Sequence, residues 1–141
     1  MSASLGFEVE LPIGFAAAKE ATRTALKAEG FGILTEIDLQ AAFKEKLGRD
    51  FRPYVILGAC NPPLAFDAVN ADPAIGLLLP CNVTVEGQSE TVSIVRLVDP
   101  QMMLSAAPGG LAPTLKTVAS DATKRMERVL QALKQVAQNA G

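Results

Sequence analysis

Tyr54-Val-Ile-Leu-Gly-Ala-Cys60, followed at once by Asn61-Pro62, is the stretch from which the architecture unfolds. It is a nearly continuous apolar run of strand length, which suits a strand buried on both faces better than an exposed edge. Asn61 is a strong N-cap and Pro62 fits the first helical position, so the chain is predicted to pass straight from strand into a helix of a turn or two toward Val69.

Upstream, Phe7, Val9 and Leu11 alternate with Glu8 and Glu10 over Gly6 to Leu11, the period of a strand with one buried face. Pro12 and Gly14 end it. From Phe15 the apolar positions change period: Ala18, Thr22, Ala25 and Leu26 form one helical stripe that stops at Gly30. Phe31 to Ile37 alternates again through Phe31, Ile33 and Thr35. Asp38 is placed to cap a short helix through Leu47, with Leu39, Ala42, Phe43 and Leu47 on its inner face and Gly48 ending it.

Downstream, Ile75 to Val85 and Thr91 to Val98 read as two strands joined through the polar loop Glu86-Gly-Gln-Ser89. Pro80 lies inside the first, which implies an edge position or a bulge there. Gln101 to Pro113 reads as irregular, with a turn at Met102 to Ala106 and a flexible Pro108-Gly-Gly110 that lacks nucleotide-loop spacing. From Leu115 through Val118, Ala119, Ala122, Met126, Val129, Leu130, Leu133, Val136 and Ala137 the pattern is one long amphipathic helix, suited to covering the sheet or to sealing a homodimer. The expected fold is an α+β two-layer sandwich, an antiparallel-leaning sheet of about five strands with helices on one face. All 141 residues are expected to form a single domain.

Composition narrows the function. The 13 basic and 15 acidic residues give a formal net charge of -2, which argues against nucleic acid as a partner. There is no His and no Trp, which removes His-based triads, His-containing zinc sites and the usual near-neutral proton shuttle. An apolar content of 49% supplies a core, yet no run is long enough to span a bilayer, and the first residues lack a secretory pattern. With only two cysteines, the expectation is a cytoplasmic chain with free thiols and no membrane partner.

Those two cysteines carry the chemical interest. Cys60 directly precedes the predicted N-cap Asn61, where backbone N–H groups and the helix dipole favour a thiolate; alternatively it is a small buried hydrophobe at a strand end. Cys81 stands in Leu79-Pro80-Cys81-Asn82, so each cysteine is followed by Asn. Brought together, the pair suits a redox dithiol or a thiophilic ion such as Cu(I), although the spacing is neither CxxC nor a zinc-finger half-site. A looser polar set, Glu36, Asp38, Arg52, Tyr54, Asn61 and Asn82, lies at the ends of the same strands, as ligand or acid–base groups or simply as caps and ion pairs.

Three segments, Leu26-Lys-Ala-Glu-Gly-Phe-Gly32 with Leu34-Thr-Glu-Ile-Asp38, Phe51-Arg-Pro-Tyr-Val-Ile-Leu-Gly-Ala-Cys-Asn-Pro62 and Gly76-Leu-Leu-Leu-Pro-Cys-Asn-Val83, resemble the domain-of-unknown-function 302 family. The resemblance runs from about Phe7 to Met103 and implies a β-α-β(4)-α fold similar to the TATA-binding-protein-like class, often dimeric. It carries over no DNA binding, since function resides in sites and not in folds. The favoured reading is a dimeric binding module with a small-ligand, soft-metal or redox-sensing pocket near Cys60 and Cys81. The candidate ligand-binding residues are Cys60, Asn61, Cys81, Asn82, Arg52, Tyr54 and Glu36. The alternatives are a thiol-dependent enzyme using Cys60 beside Glu36, Asp38 or Arg52, and a purely structural protein. No cofactor and no particular metal is assigned.

Overall fold

The run from Tyr54 to Cys60 forms strand β3 in the computed structural model, which describes residues 5–107 and 111–140. Its neighbours are β4 (Cys81–Gly87) on one side and β2 (Gly32–Asp38) on the other. With β5 (Ser93–Val98) and β1 (Gly6–Leu11) the sheet has the order β1-β5-β4-β3-β2, and every neighbouring pair is antiparallel. Helices α1 (Phe15–Ala28) and α5 (Pro113–Ala140) cover one face. The expected α+β sandwich is therefore what forms.

Alternation decides which side chains meet those helices. Val9, Leu11, Val55, Leu57, Val83, Val85, Val95 and Leu97 point inward and pack with Ala18 and Leu26 of α1 and Met126, Val129 and Leu133 of α5. The α1 stripe expected from its spacing, Ala18, Thr22, Ala25 and Leu26, is the set that is buried. The first half of α5 turns instead to a second cluster, where Leu115, Val118 and Ala119 meet Ala68, Ile75 and Leu104. The apolar stripe of α5 thus covers its own sheet and this second cluster.

The cap signals hold as well. Asp38 accepts from Ala41 N at 2.9 Å at the start of α2 (Leu39–Leu47), and Gly48 closes that helix in the left-handed region at φ 65°. Asn61 caps α3 (Pro62–Ala71).

Several expectations need correction. Ile75 to Leu79 is no part of a strand: Asp72 caps a 3₁₀ helix (Pro73–Leu78), and β4 begins only at Cys81, after a cis Leu79–Pro80 peptide. Pro80 thereby precedes a central strand and occupies neither an edge nor a bulge within it. Among the described residues the one irregular register lies in β2, between Ile33 and Thr35, where Leu34 is the additional residue. It turns Glu36 toward the helices and Thr35 away, which breaks the predicted Phe31, Ile33, Thr35 stripe. No residue of α2 is fully buried: Leu39, Ala42 and Phe43 share a half-buried face, Phe43 resting on Phe51, while Leu47 is exposed. Asp99 caps a further short helix, α4 (Pro100–Leu104), where only a turn is predicted. The segment Pro108-Gly-Gly110 lies outside the described residues.

Met126 of α5 is fully buried against the sheet, whereas Leu77 is 89% exposed. Met126→Ala is expected to lower unfolding stability by about 2 to 5 kcal/mol, and Leu77→Ala to leave it within about 0.5 kcal/mol, by urea denaturation.

Candidate functional site

Because Ala59 pairs with Cys81, the end of β3 and the beginning of β4 lie side by side. The chain between them leaves the sheet as α3 and returns through the 3₁₀ helix, roofing that corner. Below the roof is a cavity of about 320 Å³. Its walls combine Phe31, Ala59, Cys60 and Cys81 from the sheet end with Leu64 and Ala68 from α3, Met103 and Leu104 from α4, and Val118 and Ala122 from α5. Heteroatoms are few: Thr35, Asn61, the two thiols and the Met103 thioether supply the side-chain ones. Leu34, thrown outward by the bulge, lines the cavity while remaining 68% exposed, which places it at the mouth.

Asn61 holds the corner together. Its Oδ1 accepts from Leu64 N at 3.3 Å, and its Nδ2 donates to the Glu29 carbonyl at 3.4 Å. Arg125 Nη1 donates to that same carbonyl at 2.9 Å, and Arg128 Nε reaches the Glu29 carboxylate at 2.8 Å. Gly30 makes room for this junction: it has φ 84°, and a Cβ there would stand 2.9 Å from Asn61 Nδ2.

Both cysteines are free thiols in the wall of the same cavity, Cys60 half-buried and Cys81 buried. Burial raises the Cys60 thiol above its ordinary value, and burial together with the neighbouring Cys60 pushes Cys81 up to about 11. The lowering anticipated for Cys60 at a helix N-terminus does not occur. Asn61 already occupies the first free N–H of α3, and removal from water disfavours the thiolate. Both groups are therefore neutral near pH 7, with the character of small apolar side chains. Among the described residues no group of three or more His, Cys, Asp or Glu could hold a metal, so an ion at this corner would have two thiols and, in the same wall, the Met103 thioether to meet it.

The remaining predicted residues lie elsewhere. Glu36 is bound by Lys19 at 2.9 Å and by Arg23, both on α1, and Lys19 first and Arg23 after it hold its carboxyl below the usual range. Asp38 is the α2 cap. Arg52 bonds Glu86 and stacks over the Phe51 ring at 4.3 Å. None of these three lines the cavity that holds Cys60. Tyr54 and Asn82 belong to the sheet face opposite α1 and α5, where they border a second, smaller cavity.

That opposite face carries a charge ladder. Arg96 donates through Nε to Glu8 at 2.8 Å and through Nη1 to Glu86 at 2.6 Å, and Glu86 takes Arg52 on its other oxygen. Burial works to raise the Glu86 pKa, but Arg96 and Arg52 outweigh it and hold the carboxyl below its ordinary value. Arg96 and Thr84 escaped the sequence reading, because each sits inside a strand and only cross-strand pairing aligns them. An Arg in the alternating run Ser93 to Val98 was the available signal.

The family model for the domain of unknown function DUF302 matches residues 7–133. The chain belongs to the DUF302 family. A crystal structure of an uncharacterized conserved DUF302 protein from Bacillus stearothermophilus is similar to it with a TM-score of 0.79 and 31% sequence identity, covering 92% of this chain and 98% of that one. No curated protein matches the chain. No described helix of this DUF302 protein is long and apolar enough to cross a membrane.

Two outcomes are expected. Iodoacetamide at pH 8 should label both cysteines more slowly than an unfolded control, Cys60 ahead of Cys81, as read by peptide mass spectrometry. Stability contributed by Glu86 should be complete above its unfolded pKa of about 4.3 and drain as the pH falls through its lower folded value. Glu86→Gln should therefore flatten the acid limb of the stability curve measured by denaturant titration.

Proposed function

We propose that this DUF302 protein is a binding module whose cavity under α3 takes a small, mainly apolar ligand. The observation that carries the reading is the composition of the cavity wall: about 320 Å³ enclosed by aliphatic and aromatic side chains, with its few polar groups either committed to structure, as Asn61 is, or neutral, as the two thiols are. Such a wall rewards removal of apolar surface from water and offers no fixed charge. A thiol-dependent enzyme finds less support, since Cys60 is disfavoured as a thiolate and Glu36, Asp38 and Arg52 are engaged away from it.

A soft-metal or redox role rests on a separate observation, the placing of two free thiols on neighbouring strands in one wall. A monovalent thiophilic ion with two sulfur ligands fits it better than zinc, which requires four. Because both thiols must lose a proton on binding, affinity should rise with pH. A homodimer remains part of the proposal, tested by sedimentation at micromolar concentration.

The uncharged fluorophore N-phenyl-1-naphthylamine tests the main reading. Saturable fluorescence enhancement at one dye per chain is expected, with at least a ten-fold loss of affinity in Ala65→Phe, because Ala65 of α3 lines the cavity and a ring there would fill it. Cys60→Ser and Cys81→Ser should weaken dye binding only slightly. No saturable enhancement with the native chain, or undiminished binding by a folded Ala65→Phe variant, would overturn the proposal. Under reducing conditions, Cu(I) that binds equally well to the native chain and the double serine variant would remove the metal reading.

A further inference from the structure

A third sulfur borders the space that Cys60 and Cys81 share. Met103 lines the same cavity, half-buried, and packs against both apolar clusters, the first of which contains Cys81. The three residues come from three elements: the end of β3, the start of β4 and the short helix α4. Since Ala59 pairs with Cys81, the two cysteines are diagonal neighbours at the sheet end, and Met103 reaches them from the helical layer. The backbone that carries Met103 is tied to α5, where the Thr123 hydroxyl donates to Asp99 Oδ1 at 3.0 Å and accepts from Gln101 N at 3.0 Å. The unbranched methionine side chain keeps the freedom to bring its sulfur to an ion. No charged side chain lines the cavity, and Asn61 is committed to Leu64 and Glu29. Apart from Thr35, the uncommitted side-chain donors are therefore all sulfur.

From this set we infer a three-sulfur site for Cu(I), in which Cys60 and Cys81 bind as thiolates and Met103 completes the coordination through its thioether. The inference rests on the soft-metal reading above and names its third ligand. Each thiol gives its proton to solvent on binding, and no electron is transferred. Thiolate and thioether donors suit Cu(I), whereas zinc would still lack a fourth ligand and a hard ion such as Mg²⁺ would find no carboxylate. A thioether is also the third donor that this wall tolerates best. Two thiolates around a monovalent ion already leave one net negative charge in apolar surroundings, and the thioether adds none.

Titration of the full, reduced chain with Cu(I) against the chelator bicinchoninate, under anaerobic conditions, tests the site, with copper K-edge X-ray absorption counting the sulfur neighbours. One Cu(I) per chain with three sulfur neighbours is expected. Met103→Leu, which nearly conserves volume, should weaken Cu(I) binding at least ten-fold and leave two sulfur neighbours, while affinity for the naphthylamine dye stays within about two-fold. Met102→Leu should change neither, because Met102 does not line the cavity. Two sulfur neighbours in the native chain, or a Met103→Leu protein that binds Cu(I) as tightly, would overturn the inference and leave the two-thiol reading standing. Cu(I) binding that survives in the double serine variant would remove both. Should Met103→Leu disturb the fold, seen as a lowered urea midpoint, the sulfur count of the native chain decides alone. Failure of the dye to bind the native chain would end the apolar-ligand reading without touching this one.

Discussion

Three helices converge on one peptide group. The Glu29 carbonyl, at the C-terminal end of α1, receives the Asn61 amide from the start of α3 and the Arg125 guanidinium from the middle of α5. A helix C-terminus leaves carbonyls unsatisfied, and here one of them is used to fix the relative position of the other two helices. The roof over the apolar cavity hangs from this point. Without it, α3 would be held mainly by the packing of Ala68 and Leu64 in the second cluster, and the corner where β3 passes to β4 would lose its enclosure.

The two faces of the sheet follow from the same alternation but have opposite chemistry. Inward, Val55, Leu57, Val83, Val85, Val95 and Leu97 are closed off by helices, and stability there comes from burial. Outward, the same strands present Tyr54, Thr84, Glu86 and Arg96, and order there comes from charge-assisted hydrogen bonds running across β1, β5 and β4 to Arg52. The cavity beside the cysteines lies at the edge of the first environment and takes its apolar character from it. Its thiols are shifted by burial, in contrast to Glu36 and Glu86, which are shifted by cationic neighbours.

Much of this was legible in the linear sequence where a local rule operates. The alternation of Phe7, Val9 and Leu11, the stripe Ala18, Thr22, Ala25 and Leu26, and the caps Asp38, Gly48 and Asn61 each depend on residues within a turn or two, and each is found as read. Ile75 to Leu79 misled because an apolar run of that length serves a 3₁₀ helix against a core as well as a strand. The bulge at Leu34 is invisible for another reason: it is a property of a strand pair, and no residue type marks it. The cavity shows the same limit. Cys60, Asn61 and Cys81 were picked out by their neighbours in sequence, but Met103, Leu104, Val118 and Ala122 read only as core positions, and what makes them a wall is the space left between them. Asn82, Tyr54, Arg52 and Glu36 were grouped by nearness to strand ends, and the fold distributes them over the opposite sheet face and the α1 side of β2.

The outer strands of the sheet have their own bearing on behaviour in a crowded solution. Among the described residues β1 and β2 are the two borders, and each has an unpaired row of backbone groups that could recruit a strand from another molecule. Glu10 stays exposed on β1, and the bulge at Leu34 interrupts the regular spacing of β2, two features that hinder a further strand from docking there. Both features work against open-ended growth by strand addition, the hazard to which any open sheet is exposed.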